Sequence, residues 1–244
     1  MKSAIKKIFR NYGLEISGYT PGSSTTAQLI SSLQKFEIDH VLDVGANQGQ
    51  FATEIRNGGY SGNITSFEPL TVAHAALIKA SERDERWTIH SRCAVGSENG
   101  EVEINIAGNS ASSSLLPMLD SHLSAAPHTA YIGKETVPLV TLDSIAPNYI
   151  AKFQNPFLKI DTQGFEWAVL NGAKNVLPNM RGVLLELSMI PLYEDQHLWR
   201  EVLERLEREG FVLWAMQPEF IDPNDGRTLQ MNGIFFKLID PVAT

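Results

Sequence analysis

The stretch HVLDVGANQGQFATEI, His40 to Ile55, followed by ITSFEP at Ile64 to Pro69, decides how this chain folds. An apolar strand ends in Asp43, a turn carrying Gly45, Asn47 and Gly49 leads into an amphipathic helix, and a second apolar strand ends in Glu68. That order is the front half of a nucleotide-binding βαβ unit. Glycines let backbone approach a ligand, a helix N-terminus offers free N–H groups, and an acid closing the second strand accepts hydrogen bonds from both ribose hydroxyls. The ligand therefore carries an adenosine.

What the turn lacks narrows the choice. A dinucleotide fingerprint needs G-x-G-x-x-G, whereas here Asn47 stands where the second glycine would be in Gly45-Ala46-Asn47-Gln48-Gly49. No Lys-Ser or Lys-Thr follows, which excludes a phosphate-cradling Walker loop. Asp43, an acceptor-only side chain at a strand's carboxyl end, suits an α-ammonium group. An ammonium beside an adenosine is what S-adenosylmethionine presents.

Composition bounds the rest. A chain of 244 residues, 43% apolar and 20% charged, suits one soluble domain with a single sizeable core. A net charge of −8 argues against a nucleic-acid partner, which needs clustered Lys and Arg. Cys93 is the only cysteine, so neither an intrachain disulfide nor a cysteine-built zinc site forms, and a reducing cytoplasm is the expected setting. Lys6, Lys7 and Arg10 interrupt any signal-peptide core, and no run approaches the ~20 apolar residues of a membrane span. Ile5, Ile8, Phe9 and Tyr12 share one helical face, read as docking on the domain or on a second copy in a homodimer, in preference to contact with a membrane surface.

Along the chain, residues 1–36 form an N-terminal helical segment and linker, and residues 37–244 one domain. Helices are expected at Ala27 to Phe36, Gln48 to Asn57, Val72 to Ser81, Glu166 to Asn171 and Gln196 to Glu209. Strands are expected at His40 to Val44, Asn63 to Phe67, Trp87 to Ala94, Phe157 to Asp161 and Gly182 to Leu187. This alternation implies an α/β fold, a mostly parallel sheet with helices on both faces. Glu101 to Ile106 alternates strictly and reads as a half-exposed strand at the sheet edge. Periodicity fades from Gly108 to Pro138, which reads as a lid or substrate loop. Phe211 to Met216 and Gly233 to Leu238 flank a Pro/Asp/Gly-rich loop and read as a closing antiparallel hairpin. Asp43, Glu68, Asp161 and Glu186 then meet at the carboxyl rim where open α/β sheets bind ligands.

These residues resemble the FkbM-type S-adenosylmethionine-dependent methyltransferases. The likeness is carried by VLDVGANQGQ at 41–50, SFEP at 66–69, CAVG at 93–96, VTLD at 140–143 and FLKIDTQGFE at 157–166, and spans Asp39 to Leu238. Within the family, SSSLLPM at 112–118 and the His122/His128 region look similar to bacterial sugar (rhamnosyl-type) O-methyltransferases. The resemblance implies a class I, Rossmann-like fold with seven strands, and methyl transfer to a hydroxyl of a small-molecule or glycan acceptor. It implies that Asp43, Gly45, Ala46, Asn47, Gly49 and Phe51 line the methionine and ribose part of the cofactor. Glu68 and Pro69 then serve the ribose, Cys93 and Ala94 the adenine edge, and Asp161 the border with the acceptor. One departure stands out: many members carry Glu where this chain has Gln163, so a role needing negative charge there does not carry over.

A sugar hydroxyl is a weak nucleophile and benefits from a base. His122 and His128 are the first candidates because imidazole titrates near working pH; Asp161, with Lys159 two residues earlier on its strand, is the rival. Mg²⁺ held by Asp161, Glu186 and a loop histidine is a minority alternative. Two further function classes compete. A short-chain NAD-dependent oxidoreductase needs Tyr-x-x-x-Lys, but Tyr131/Lys134 and Tyr149/Lys152 are spaced one residue too close. A non-catalytic module binding an adenosine cofactor is the other.

Overall fold

The computed structural model describes residues 9, 11–14 and 18–238, so the N-terminal amphipathic helix expected through Ile5 and Ile8 lies outside the described residues. The main sheet contains β1 (His40–Val44), β2 (Asn63–Phe67), β3 (Trp87–Ile89), β7 (Pro156–Ile160), β8 (Gly182–Ser188), β9 (Val212–Ile221) and β10 (Thr228–Phe236). Its order is β3-β2-β1-β7-β8-β10-β9, parallel except at β10, which runs antiparallel to both β8 and β9. This is the seven-stranded α/β arrangement with a closing hairpin that the sequence predicts.

Every residue of β1, β7 and β8 is buried, because helices cover both faces. Alternation along each strand sorts the core into two layers. Leu42, Val44, Leu158, Ile160, Val183 and Leu185 pack on one face, under the helices Glu166–Asn171 and Trp199–Arg208. Val41, Phe157, Leu184, Ile234 and Phe236 pack on the other, under Thr25–Lys35 and Gln50–Asn57. Thr25–Lys35 contributes Leu29, Ile30 and Leu33 to this layer, so that helix is part of the domain's own core.

Three expectations are corrected. The strand expected over Trp87 to Ala94 is divided: β3 stays in the main sheet, and β4 (Ala94–Val95) enters a second, three-stranded sheet. The alternating strand β5 (Gly100–Ala107) pairs there with β6 (Tyr131–Val140), and not at the edge of the main sheet. It has a core of its own to bury, formed by Ile104, Val137, Leu139, Leu70 and Ala73. The irregular segment expected up to Pro138 therefore ends at Ala130, where β6 begins, and it holds the short helix Asp120–Ala125 and two 3-10 turns. Gly133 and Pro138, poor strand formers, hide β6 in the sequence.

Candidate active site

The site follows from strand register. Asp43 on β1 lies opposite Ser66 on β2 and Lys159 on β7, so three polar side chains share one face of the sheet's centre. Asp43 is wholly buried; its Oδ2 accepts from Ser66 Oγ at 3.0 Å, and its Oδ1 lies 3.0 Å from Lys159 Nζ. The Lys159 ammonium also donates to the carbonyl of Gly45 at 2.9 Å. Burial pushes Lys159 down, but Asp43 and Asp161 more than offset this and hold it charged. Asp43 thus fixes the lysine and the turn above it and does not reach the cavity, which corrects its expected contact with an ammonium group.

The turn is built on left-handed backbone. Gly45 has φ +74, and a Cβ there would overlap the Asp161 carbonyl oxygen at 1.8 Å; Asn47, at φ 47, takes the strain that Asn tolerates. Gly49 (φ +91) sits over the Trp87 ring, 2.7 Å from where a Cβ would be. Gly49 serves this packing and does not line the cavity. The Asn47 N–H donates to Glu68 Oε2 at 2.8 Å and the Leu70 N–H to Oε1 at 2.9 Å. Burial raises the Glu68 carboxyl to about 7, those two backbone bonds holding it lower than burial alone would.

Above this frame lies a cavity of about 280 Å³. Gly45, Ala46, Asn47, Phe51, Glu68, Pro69, Cys93, Ala94, Lys159 and Asp161 all line it. Its apolar end is Phe67, Leu70, Val95, Ile104 and the Cys93 thiol, which burial pushes up to about 12 so that it stays protonated. The other end is polar and holds Asp161, Gln163 and Glu219, with Ser110 and Ser113 from the covering segment.

Gln163 is the hub of that end. Its Nε2 donates to Asp161 Oδ1 at 2.9 Å and to Glu186 Oε2 at 2.8 Å, and its Oε1 accepts from Tyr193 OH at 2.9 Å. Glu166 shapes the turn below: one oxygen accepts from the N–H groups of Thr162 and Gly164 and from the Thr162 hydroxyl. Asp161 and Glu186, the pair considered for Mg²⁺, are bridged by this amide, and among the described residues no group of three or more His, Cys, Asp or Glu side chains is placed to hold a metal.

Neither histidine lines the cavity. His122 is buried between the rings of Tyr193 and Phe220, and burial lowers its imidazole to about 4; His128 lies on the surface. Their expected role as base is corrected accordingly: the short helix and turn that carry them face the apolar cluster of Leu192, Tyr193 and Leu229. Glu219 was missed. It lies beyond Pro218, where the sequence pattern ends the strand early, but β9 is an edge strand and tolerates proline.

The FkbM methyltransferase domain matches residues 43–213, from the buried aspartate of β1 into β9. The chain belongs to the FkbM methyltransferase family. It is an S-adenosylmethionine-dependent methyltransferase, and the cradle fits that cofactor: a buried carboxylate, Glu68, meets an apolar slot at one end and a polar one at the other. No curated protein sequence matches this FkbM methyltransferase. Among solved structures it is similar to an rRNA methylase from Streptococcus thermophilus, with 10% identity over 88% of this chain and 97% of that one and a TM-score of 0.47. It is also similar to magnesium protoporphyrin IX methyltransferase from Synechocystis PCC 6803 with bound SAM, at 8% identity, 88% and 78% coverage and a TM-score of 0.46. A third is Aeropyrum pernix fibrillarin with natively bound S-adenosyl-L-methionine, at 10% identity, 80% and 66% coverage and a TM-score of 0.44. Strand order and register, not these likenesses, carry the fold assignment.

Proposed function

We propose that this enzyme methylates a hydroxyl oxygen of a neutral sugar, free or within a glycan or glycolipid. The observation that carries this reading is the charge and hydrogen-bonding character of the cavity's polar end. Asp161 and Glu219 accept hydrogen bonds there, Ser110 and Ser113 offer hydroxyls, and the Lys159 ammonium is committed to Asp43 and the Gly45 carbonyl. A polyol satisfies such a surface, whereas a phosphate or carboxylate meets like charge without a cation to neutralise it. The likeness of residues 112–118 to sugar O-methyltransferases supports the same acceptor class.

Bound S-adenosylmethionine supplies a methyl group on a sulfonium, ready for in-line displacement. Glu68 is the residue proposed to receive the ribose hydroxyls, and Leu70, Cys93, Ala94 and Val95 to enclose the adenine. Asp161 is proposed as the base that takes the acceptor's proton, since it is the carboxylate on the cavity wall beside both Lys159 and Gln163. The covering segment excludes water from the displacement.

The test is methylation of a panel of neutral glycans and their uronic-acid or phosphorylated counterparts, read by mass spectrometry. A methyl ether on neutral acceptors is expected. Methylation confined to anionic acceptors, or to nitrogen or carbon, overturns the proposal. Exhaustive chelation belongs in the same assay: activity lost and then restored by Mg²⁺ would show that the reaction needs a metal.

A further inference from the structure

Asp161 stands immediately after β7 with its side chain 38% exposed, and a carboxylate in that position turns freely unless something holds it. Lys159 Nζ is 3.6 Å from Oδ2, a charge contact outside hydrogen-bond range. The bond that fixes the group is the one from Gln163 Nε2 to Oδ1. We propose that Gln163 is a positioning residue for methyl transfer: held by Tyr193, its amide fixes Asp161 Oδ1 and leaves Oδ2 as the oxygen presented to the acceptor hydroxyl.

The amide's orientation follows from its partners. Its nitrogen faces the two carboxyl groups of Asp161 and Glu186, and its oxygen faces the Tyr193 hydroxyl, a donor. Turning it over would set a carbonyl oxygen against the Asp161 carboxylate and lose the bond that holds it, so this arrangement is selected. The backbone is fixed as well. Gln163 has φ +52, its carbonyl accepts from Ser114 Oγ at 2.6 Å, and Gly164, at φ +95, leaves room for the Tyr193 ring, which a Cβ would approach to 2.8 Å. Tyr193 is fully buried, so the clamp is anchored in the core. Gln230 donates to the same Glu186 oxygen from β10 at 3.2 Å, which holds the far side.

In this chain a neutral amide joins the carboxyl groups gathered here. Asp161 is faced by Lys159 on its own strand, with Asp43 behind it on β1. Glu166 from the following helix, Glu186 from β8, Tyr193 from the loop after β8 and Glu219 from β9 also surround it. A glutamate at 163 would place another carboxyl group within hydrogen-bond distance of both and would remove the two amide N–H bonds that join them in this chain.

The role in methyl transfer rests on the hydroxyl-acceptor reading, but the clamp itself is testable without an acceptor. Crystal structures of wild type and Gln163→Leu should show Asp161 in one rotamer in the former and displaced or split in the latter. With a neutral glycan acceptor, Gln163→Leu should lower kcat about 10²-fold while cofactor Kd changes less than about 3-fold. Gln163→Glu should move the acid limb of the rate profile to higher pH. Tyr193→Phe keeps the ring and loses the hydroxyl; it should reproduce the kcat effect more weakly, and it carries the test if the Gln163 variants do not fold. An Asp161 rotamer unchanged in folded Gln163→Leu overturns the clamp, and an unchanged kcat and pH profile overturn its part in the reaction. Wild type inactive on every hydroxyl acceptor sinks the sugar reading instead, and the crystallographic comparison still decides the clamp.

Discussion

Glu68 illustrates how one side chain ties cofactor binding to pH. It is 4% exposed, and each oxygen already accepts one backbone N–H, which leaves a lone pair on each for a ribose hydroxyl. Only the ionised carboxylate accepts at both oxygens, and burial raises the group to about 7. Cofactor affinity should therefore rise as pH increases through 7 and level off above it. Calorimetry at pH 6, 7 and 8 reads this directly. Glu68→Gln should bind about 30- to 150-fold more weakly above the transition, equivalent to roughly 2 to 3 kcal/mol, and should show a flat profile. A wild-type Kd independent of pH, or a folded Glu68→Gln with normal affinity, would remove Glu68 from the ribose. Asp43 and Glu68 also mark the limit of reading chemistry from sequence. Both close apolar strands and look alike in the chain, but register gives Asp43 to Lys159 while Glu68 opens into the cavity. Gln163 reads as the loss of a charge; the structure makes it a donor to two carboxyl groups.

At the scale of elements, the segment between β5 and β6 covers the cavity on uneven fastenings. Ser110 Oγ donates to Asn47 Oδ1 at 3.2 Å on the cofactor turn, whereas residues 114–119 are held by backbone bonds to Asn105 and Leu192 and by the Ser114 bond to Gln163. The cover should open at Ser110 and hinge near Ser114. Hydrogen exchange should find residues 108–113 faster than 114–119 in the free enzyme, and slowed when cofactor and acceptor are both present. Ser110→Ala should speed exchange in the free state. Uniform exchange across 108–119, unaffected by ligands, would make the segment static scaffold. Local pattern located β1, β2 and Glu166–Asn171 to the residue because unbroken apolar runs and a helical period report burial directly. It failed for β6, where Gly133 and Pro138 break the alternation, and it placed β5 in the wrong sheet because pairing is a long-range choice. The position of His122 was equally hidden. Its burial depends on Tyr193 and Phe220, residues far along the chain.

For the molecule as a whole, buried titratable groups set opposing pH dependences. His40 and His122 are both lowered to about 4 by burial, so the unfolded chain, near 6.5, binds their protons more readily than the folded one. Their contribution to stability is present above about 6.5 and is lost as pH falls through about 4. Glu68 and Glu166 are raised to about 7, again by burial, from 4.5. Here the folded state binds the proton more tightly, so their contribution is present below about 4.5 and is lost as pH rises through about 7. Burial also raises Glu186 and Glu219, which adds to the carboxyl side, so stability should be greatest in weak acid and fall as pH rises through neutrality, while the two histidines oppose that fall and lower stability toward pH 4. Thermal unfolding of the cofactor-free enzyme from pH 4 to 8.5 should trace this shape. His122→Phe removes one acid-side group and the buried Nδ1 that has no partner, so it should soften the fall toward pH 4 and leave the fall above pH 7 unchanged. The same variant should keep the wild-type rate of methyl transfer, because His122 lies outside the cavity. An acid-side fall as steep in folded His122→Phe as in wild type would refute the assignment of that limb, and loss of methyl transfer in the same protein would return the histidine to the active site.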